Sequence, residues 1–235
     1  MSFLQQTASN EVIYDFIYNK CMMLPGLILG FTFHEYAHAK TAYLLGDDTP
    51  VYEGRITLNP VRHIDLFGFV CLILLGFGWA KPVHFNPSKL KNPKRDSGLI
   101  GVAGPLTNLV LAFVFMIIFT IVIINENNFN MTEGTYKVIS NMLLSSCSVN
   151  CTLLVFNMIP LPPFDGFHVL LSLIPRRIAG VLNANAFRYI GRYSFLVLIA
   201  LFHFFPDLLG IPILFVYNSL FNIAINMANM ILRFF

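Results

Sequence analysis

The chain has 235 residues, 56% of them hydrophobic and 11% charged, with a mean hydropathy of +0.68. Soluble domains carry about 25% charged residues, so this composition excludes an ordinary soluble protein and places the chain in a lipid bilayer. The net charge of +3 is spread over loop lysines and arginines with no basic block, which gives no sign of a nucleic-acid partner and leaves the cations to orient loops by the positive-inside rule.

Residues 1–20 open the chain. Glu11, Asp15, Asn19 and Lys20 interrupt the apolar residues that begin at Val12, and no basic run precedes them. That pattern fits an interfacial amphipathic helix over roughly residues 3–19 better than a cleaved signal peptide. The first spanning helix is expected from about Cys21 to Gly46. Its second half carries His34, Glu35 and His38 inside an apolar run. Three ionisable groups within five residues are costly in lipid, about 2.5–3.5 kcal/mol each for the charged types on insertion scales, and need a common partner. On a helix His34 and His38 stand one turn apart on one face, close enough to share one metal ion, with Glu35 about 100° round from His34. This is the H-E-x-x-H pattern in which imidazoles hold zinc and the glutamate serves as base.

Val51 to Arg62 is polar with an alternating character that admits a short β-hairpin. Leu66 to Trp79 is strongly apolar but only about a dozen residues long, where a spanning helix needs about 20. Cations flank it on both sides, Arg55 and Arg62 before it and Lys81, Lys89, Lys91, Lys94 and Arg95 after it, so it is expected to be re-entrant. A clear span follows from Ser97 to Asn125, opening on Gly101, Gly104 and Pro105. The loop from Asn125 to Thr135 has Glu126 and Glu133 without a cation and is expected outside. Tyr136 to Ile159 returns, with Asn150 and Asn157 seven residues apart on a face that must look into the bundle.

The helix stops at Pro160, Pro162 and Pro163, followed by Asp165 and Gly166. A short helix is expected from Phe167 to Ile174, then a cationic patch of Arg176, Arg177, Arg188 and Arg192. Two apolar stretches, about Tyr193–Phe205 and Ile211–Leu232, read as a closing hairpin. The four cysteines form no C-x-x-C pair, and Cys147 and Cys151 read as small lipophilic residues one turn apart. The expected fold class is an all-α polytopic membrane protein: a helical bundle with a re-entrant segment and room for a short β-hairpin beside the histidines. The cationic loops put the N-terminus outside and both His38 and Asp165 toward the cytoplasmic face of the cell membrane.

Two histidines leave a catalytic zinc one protein ligand short. Asp47, Asp48, Glu53, Asp65, Asp165, His63 and His168 are all candidates. Asp165 stands out because it follows a span returning to the side of His38, although Asp-Gly after prolines also suits a turn or a helix cap.

His34-Glu35-Tyr36-Ala37-His38, Gly104-Pro105-Leu106-Thr107-Asn108 and the run Asn157–Gly166 occur in order, together with Gly78-Trp79-Ala80-Lys81-Pro82-Val83. With these motifs the chain resembles the compact bacterial and archaeal branch of the site-2 protease family of intramembrane zinc metalloproteases, over about residues 20–180. The resemblance implies one Zn²⁺ per chain held by His34, His38 and Asp165. It also implies Glu35 as general base and then acid, and Asn157 near the metal, where its amide suits an oxyanion. It implies single-span membrane proteins as substrates. Phe164 and Phe167 stand where the family often has leucine and glycine, which bears on packing more than on chemistry, and no inserted PDZ-like domain is present. The expected division is an interfacial segment 1–20, a catalytic membrane core 21–180 and a C-terminal transmembrane hairpin 181–235. A membrane metal-ion transporter using the same ligands is the alternative; it would not need Glu35 as a base.

Overall fold

A computed structural model describes residues 3–75, 78–125, 131–175, 191, 193, 194, 200, 204 and 207–232. The cationic patch Arg176, Arg177, Arg188 and Arg192, and most of the Tyr193–Phe205 stretch, lie outside these residues. Among the described residues the chain is helical, with no strand. The helices are α1 (Phe3–Leu44), α2 (Thr49–Tyr52), α3 (Pro60–His63), α4 (Leu66–Leu75), α5 (Pro93–Ile124), α6 (Glu133–Asn157), α7 (Asp165–Leu173) and α8 (Asp207–Leu232). Among the described residues four helices are long and apolar enough to cross a membrane: Glu11–Leu44 within α1, then α5, α6, and Asp207–Met230 within α8. In lipid only a helix or a closed barrel satisfies every backbone group internally, which is why apolar runs of this length settle as helices.

α1 runs unbroken through residue 20 and through Pro25. At 1.5 Å per residue its 42 residues reach about 63 Å, twice a bilayer core of about 30 Å. It ends at Leu44; two residues on, Gly46 has a φ of 109° that only glycine adopts without strain, and the Asp47 N–H closes the end on the Ala42 carbonyl at 3.0 Å. α5 begins four residues before the expected Ser97 because Pro93 sits in its first turn, where a missing N–H costs nothing. At the start of α6 the Thr132 hydroxyl accepts from the Thr135 N–H at 3.3 Å.

α1, α5 and α6 form the centre, packed through small residues. A side chain at Gly26 of α1 would collide with the Ser146 backbone of α6, and one at Gly30 would meet Asn150 Oδ1 at 2.9 Å. Without a hydrophobic driving force between helices in lipid, such close approach supplies the packing contacts. α7 lies against α5 at Gly98 and Gly101, where an added methyl would meet Ser172 and the Asp165 carbonyl. α8 packs on α5 and α6 around Met116, Phe119, Leu143, Cys147, Cys151 and Leu220. The two cysteines are fully buried in this apolar cluster, as their spacing suggested.

Between α1 and α5, Phe69, Leu72 and Ala80 pack against Leu27, Phe31 and Val149, and Leu90 packs with Ala42 and Ile100; here one expectation is corrected. The Val51–Arg62 segment is no hairpin: Pro50 and Pro60 start one-turn helices, and Gly54 turns the chain at φ 64°. Proline at these positions removes ladder donors and favours the first turn of a helix. The apolar α4 is ten residues long, too short to span, and the chain then returns alongside it: the Lys81 N–H donates to the His63 carbonyl at 2.8 Å, and Gly68 has no room for a side chain beside Trp79. That is the fold-back expected of a re-entrant segment. The returning stretch, 78–86, is neither helix nor strand.

Candidate metal centre

α1 presents His34 and His38 toward α5, and both are buried, as is Glu35. The two imidazoles turn their Nε2 atoms to one another at 3.0 Å. Their other nitrogens are taken: His34 Nδ1 lies 2.6 Å from Asn108 Oδ1, and His38 Nδ1 lies 2.7 Å from the Ile100 carbonyl. Both acceptors are oxygens, so each ring donates its Nδ1 proton and leaves the Nε2 lone pair bare. α7 brings Asp165 Oδ2 to 3.1 Å from His34 Nε2 and 3.2 Å from His38 Nε2.

That arrangement puts three acceptor atoms together with no proton among them, and Asp165 Oδ2 is a buried oxygen without a hydrogen-bond donor. A cation resolves the conflict. Tetrahedral zinc with nitrogen and oxygen ligands at about 2.0–2.2 Å would separate those ligand atoms by about 3.3 Å, close to the distances found. Room for the rings comes from Gly104 of α5, where a Cβ would fall 2.6 Å from His34 Nε2.

The other candidates are occupied elsewhere. Asp47 accepts from the N–H and hydroxyl of Thr49 at 3.0 and 2.6 Å and from the Asn86 N–H; these bonds overcome the upward push of burial and lower its pKa. Asp48 pairs with Lys89, Glu53 with His84, and Asp65 accepts from Gly68 N–H at 2.8 Å at the start of α4. His63 donates Nε2–H to the Thr57 carbonyl at 2.7 Å, and burial lowers its pKa. His168 sets its ring edge-on to Phe85 at 5.5 Å. Asp165 occupies the first turn of α7, whose N-cap is Phe164, so its carboxylate does not cap the helix. Among the described residues His34, His38 and Asp165 form the group able to hold a metal ion, their ligand atoms lying within 4.8 Å of one another.

Glu35 does not join the trio. The Val83 N–H donates to its Oε2 at 3.0 Å, from the non-helical stretch after α4. Asn157, half-buried at the end of α6, donates to the Leu153 carbonyl one turn back at 2.9 Å.

Sequence reading did not identify what stands behind the histidines. Asn108 Nδ2 donates to Asn150 Oδ1 at 3.0 Å and to the Gly30 carbonyl at 3.3 Å. Asn150 Nδ2 in turn donates to the Gly26 and Ser146 carbonyls at 3.1 and 2.9 Å. Both amides are fully buried. The chain of bonds fixes the His34 tautomer from three helices at once. The available signal was two asparagines in spans, since such residues seldom sit in lipid without a partner. Losing a partner of this kind costs about 10–100-fold in metal affinity, and that is the expected loss for Asn108→Ala in a zinc-chelator competition titration. Unchanged zinc affinity would remove Asn108 from the metal site.

The family model for Peptidase family M50 matches residues 22–201. The chain is 35% identical over 192 residues to YwhC of Bacillus subtilis (strain 168), covering 80% of this chain and 84% of that protein. It is 32% identical over 144 residues to MJ0611 of Methanocaldococcus jannaschii, covering 60% and 64% of the two chains. It is 25% identical over 155 residues to Rip2 of Mycobacterium tuberculosis (strain H37Rv), covering 63% and 56%. All three carry zinc-metalloprotease names. No solved structure matches the chain.

Proposed function

The chain belongs to peptidase family M50 and is a multi-pass intramembrane zinc metalloprotease, and from that premise we propose that His34, His38 and Asp165 are its zinc ligands and Glu35 its general base. The observation that carries the reading is the set of three bare acceptor atoms, 3.0 to 3.2 Å apart, on a buried face with Asp165 Oδ2 otherwise unpartnered. The family match leaves the metal-transporter reading without support.

Zinc, when bound, supplies a Lewis acid that lowers the pKa of water to about 7. Glu35, next in sequence to a ligand but turned away from the ligand trio, takes the proton from the attacking water and returns it to the leaving amide nitrogen. Its Oε2 is engaged by Val83, which leaves Oε1 for that transfer. Asn157 donates to the developing oxyanion after turning from the Leu153 carbonyl. The substrates are single-span membrane proteins. A helix hides its backbone bonds, so the scissile segment must unwind, and the non-helical stretch 78–86 offers it main chain to pair with.

Purified protein and a single-span substrate carrying a helix-breaking Gly or Pro, co-reconstituted in vesicles, should yield two fragments with zinc and none after chelation. An intact substrate under zinc would refute the reading.

The metal centre faces the cytoplasmic side, a placement supported by the cations on both flanks of α4. Cysteines placed singly at the exposed Val61 and Lys91, with the four native cysteines replaced, should both react with an impermeant maleimide from the cytoplasm. Labelling from opposite faces would make 66–79 a true span and overturn the orientation.

A further inference from the structure

Arg55 is buried, 6% exposed, in the turn after α2. A buried guanidinium normally carries a carboxylate partner. This one donates instead to main-chain carbonyls, through Nη1 to Arg62 and through Nη2 to Lys81 and Pro82, the last at 2.5 Å. The Pro82 carbonyl is one end of the Pro82–Val83 peptide group. The other end is the Val83 N–H, which donates to Glu35 Oε2 at 3.0 Å. One peptide group is therefore held between a cation at its oxygen and a carboxylate at its hydrogen. Both charges align with its dipole, and in this part-buried setting each bond strengthens the other.

We propose that Arg55 is a positioning residue for Glu35, acting through the Pro82–Val83 peptide group. The proposal rests on Glu35 being the general base. By gripping the carbonyl end, Arg55 fixes the height and tilt of the N–H that locates Oε2, and thereby sets where Oε1 meets the water. The Arg62 and Lys81 carbonyls, bound by the same guanidinium, tie the turn to the stretch after α4 and hold the peptide plane in place. A small misplacement of a reacting group lowers turnover without weakening substrate or zinc binding, and about 1 Å can cost 10²-fold.

A double-mutant cycle on the full chain tests the relay, reading kcat, KM and zinc content with a single-span substrate. Arg55→Gln removes the cation; Val83→Pro removes the N–H and leaves Arg55 and its three carbonyls in place. Each is expected to lower kcat by roughly 10–10²-fold with KM and zinc content near those of the parent, by the positioning argument above. The double variant should be no slower than the slower single one, because both act on one linkage. Multiplying losses, or a rise in KM alone, would make Arg55 a structural tether and overturn the proposal. If Arg55→Gln fails to retain zinc, Val83→Pro decides by itself, and a parent-like kcat there overturns the relay. Glu35→Gln separates the two readings. If it cuts at the parent rate, the base assignment fails and takes this proposal with it. If it is inactive while Arg55→Gln and Val83→Pro are unimpaired, the relay alone fails.

Discussion

Glu35→Gln is expected to lower the rate of peptide cleavage by about 10²–10⁴-fold while zinc stays bound, the loss associated with removing a positioned general base. The amide keeps the size of the carboxylate and can still accept from the Val83 N–H through its carbonyl oxygen, so the surrounding stretch need not move. It cannot take a proton from water. The three acceptor atoms of His34, His38 and Asp165 are untouched, and the zinc content measured by atomic absorption should match the parent. Single-turnover assays with a co-reconstituted substrate should show binding without fragments. Cutting at the parent rate would remove Glu35 from the mechanism, and loss of zinc would make it part of the metal site.

Asp165→Ala is expected to abolish cleavage for a different reason, by losing the metal. Removing one of three protein ligands leaves two imidazoles whose Nε2 lone pairs face one another at 3.0 Å across a space that Gly104 keeps open. Zinc content should fall toward zero after dialysis against a chelator that leaves the parent loaded. If Asp165 only shaped the turn after Pro163, the expected cost would be about 0.5–2 kcal/mol of stability with full zinc occupancy and retained activity. The two outcomes are separated by one zinc measurement. His168→Ala, one turn along α7 and packed on Phe85, is the control that should keep its zinc.

Much of this protein is legible in its sequence, because lipid leaves a chain few choices. The apolar runs had to become helices, and α5, α6 and the lower part of α1 did. Helical spacing alone put His34 and His38 on one face with Glu35 to the side. The shortness of the apolar stretch after Asp65 already said that it could not cross. Local order also explains the one correction, since the alternating pattern of Val51–Arg62 suggested strands while Pro50 and Pro60 dictated single helical turns.

What the sequence could not decide were contacts between residues far apart in the chain. Seven residues qualified as the third ligand, and only the packing of α7 against the glycines of α5 brings Asp165 rather than His168 to the histidines. The asparagine relay behind His34 joins residues 34, 108 and 150, and no local periodicity encodes a hydrogen bond between three different helices. The hold on Glu35 comes from a backbone N–H, which every residue but proline possesses and which therefore leaves no mark in a sequence. Residue types and their spacing determined which chemistry the chain could carry. The tertiary structure decided which of those groups meet, because burial and distance are set by how helices pack and not by any one of them.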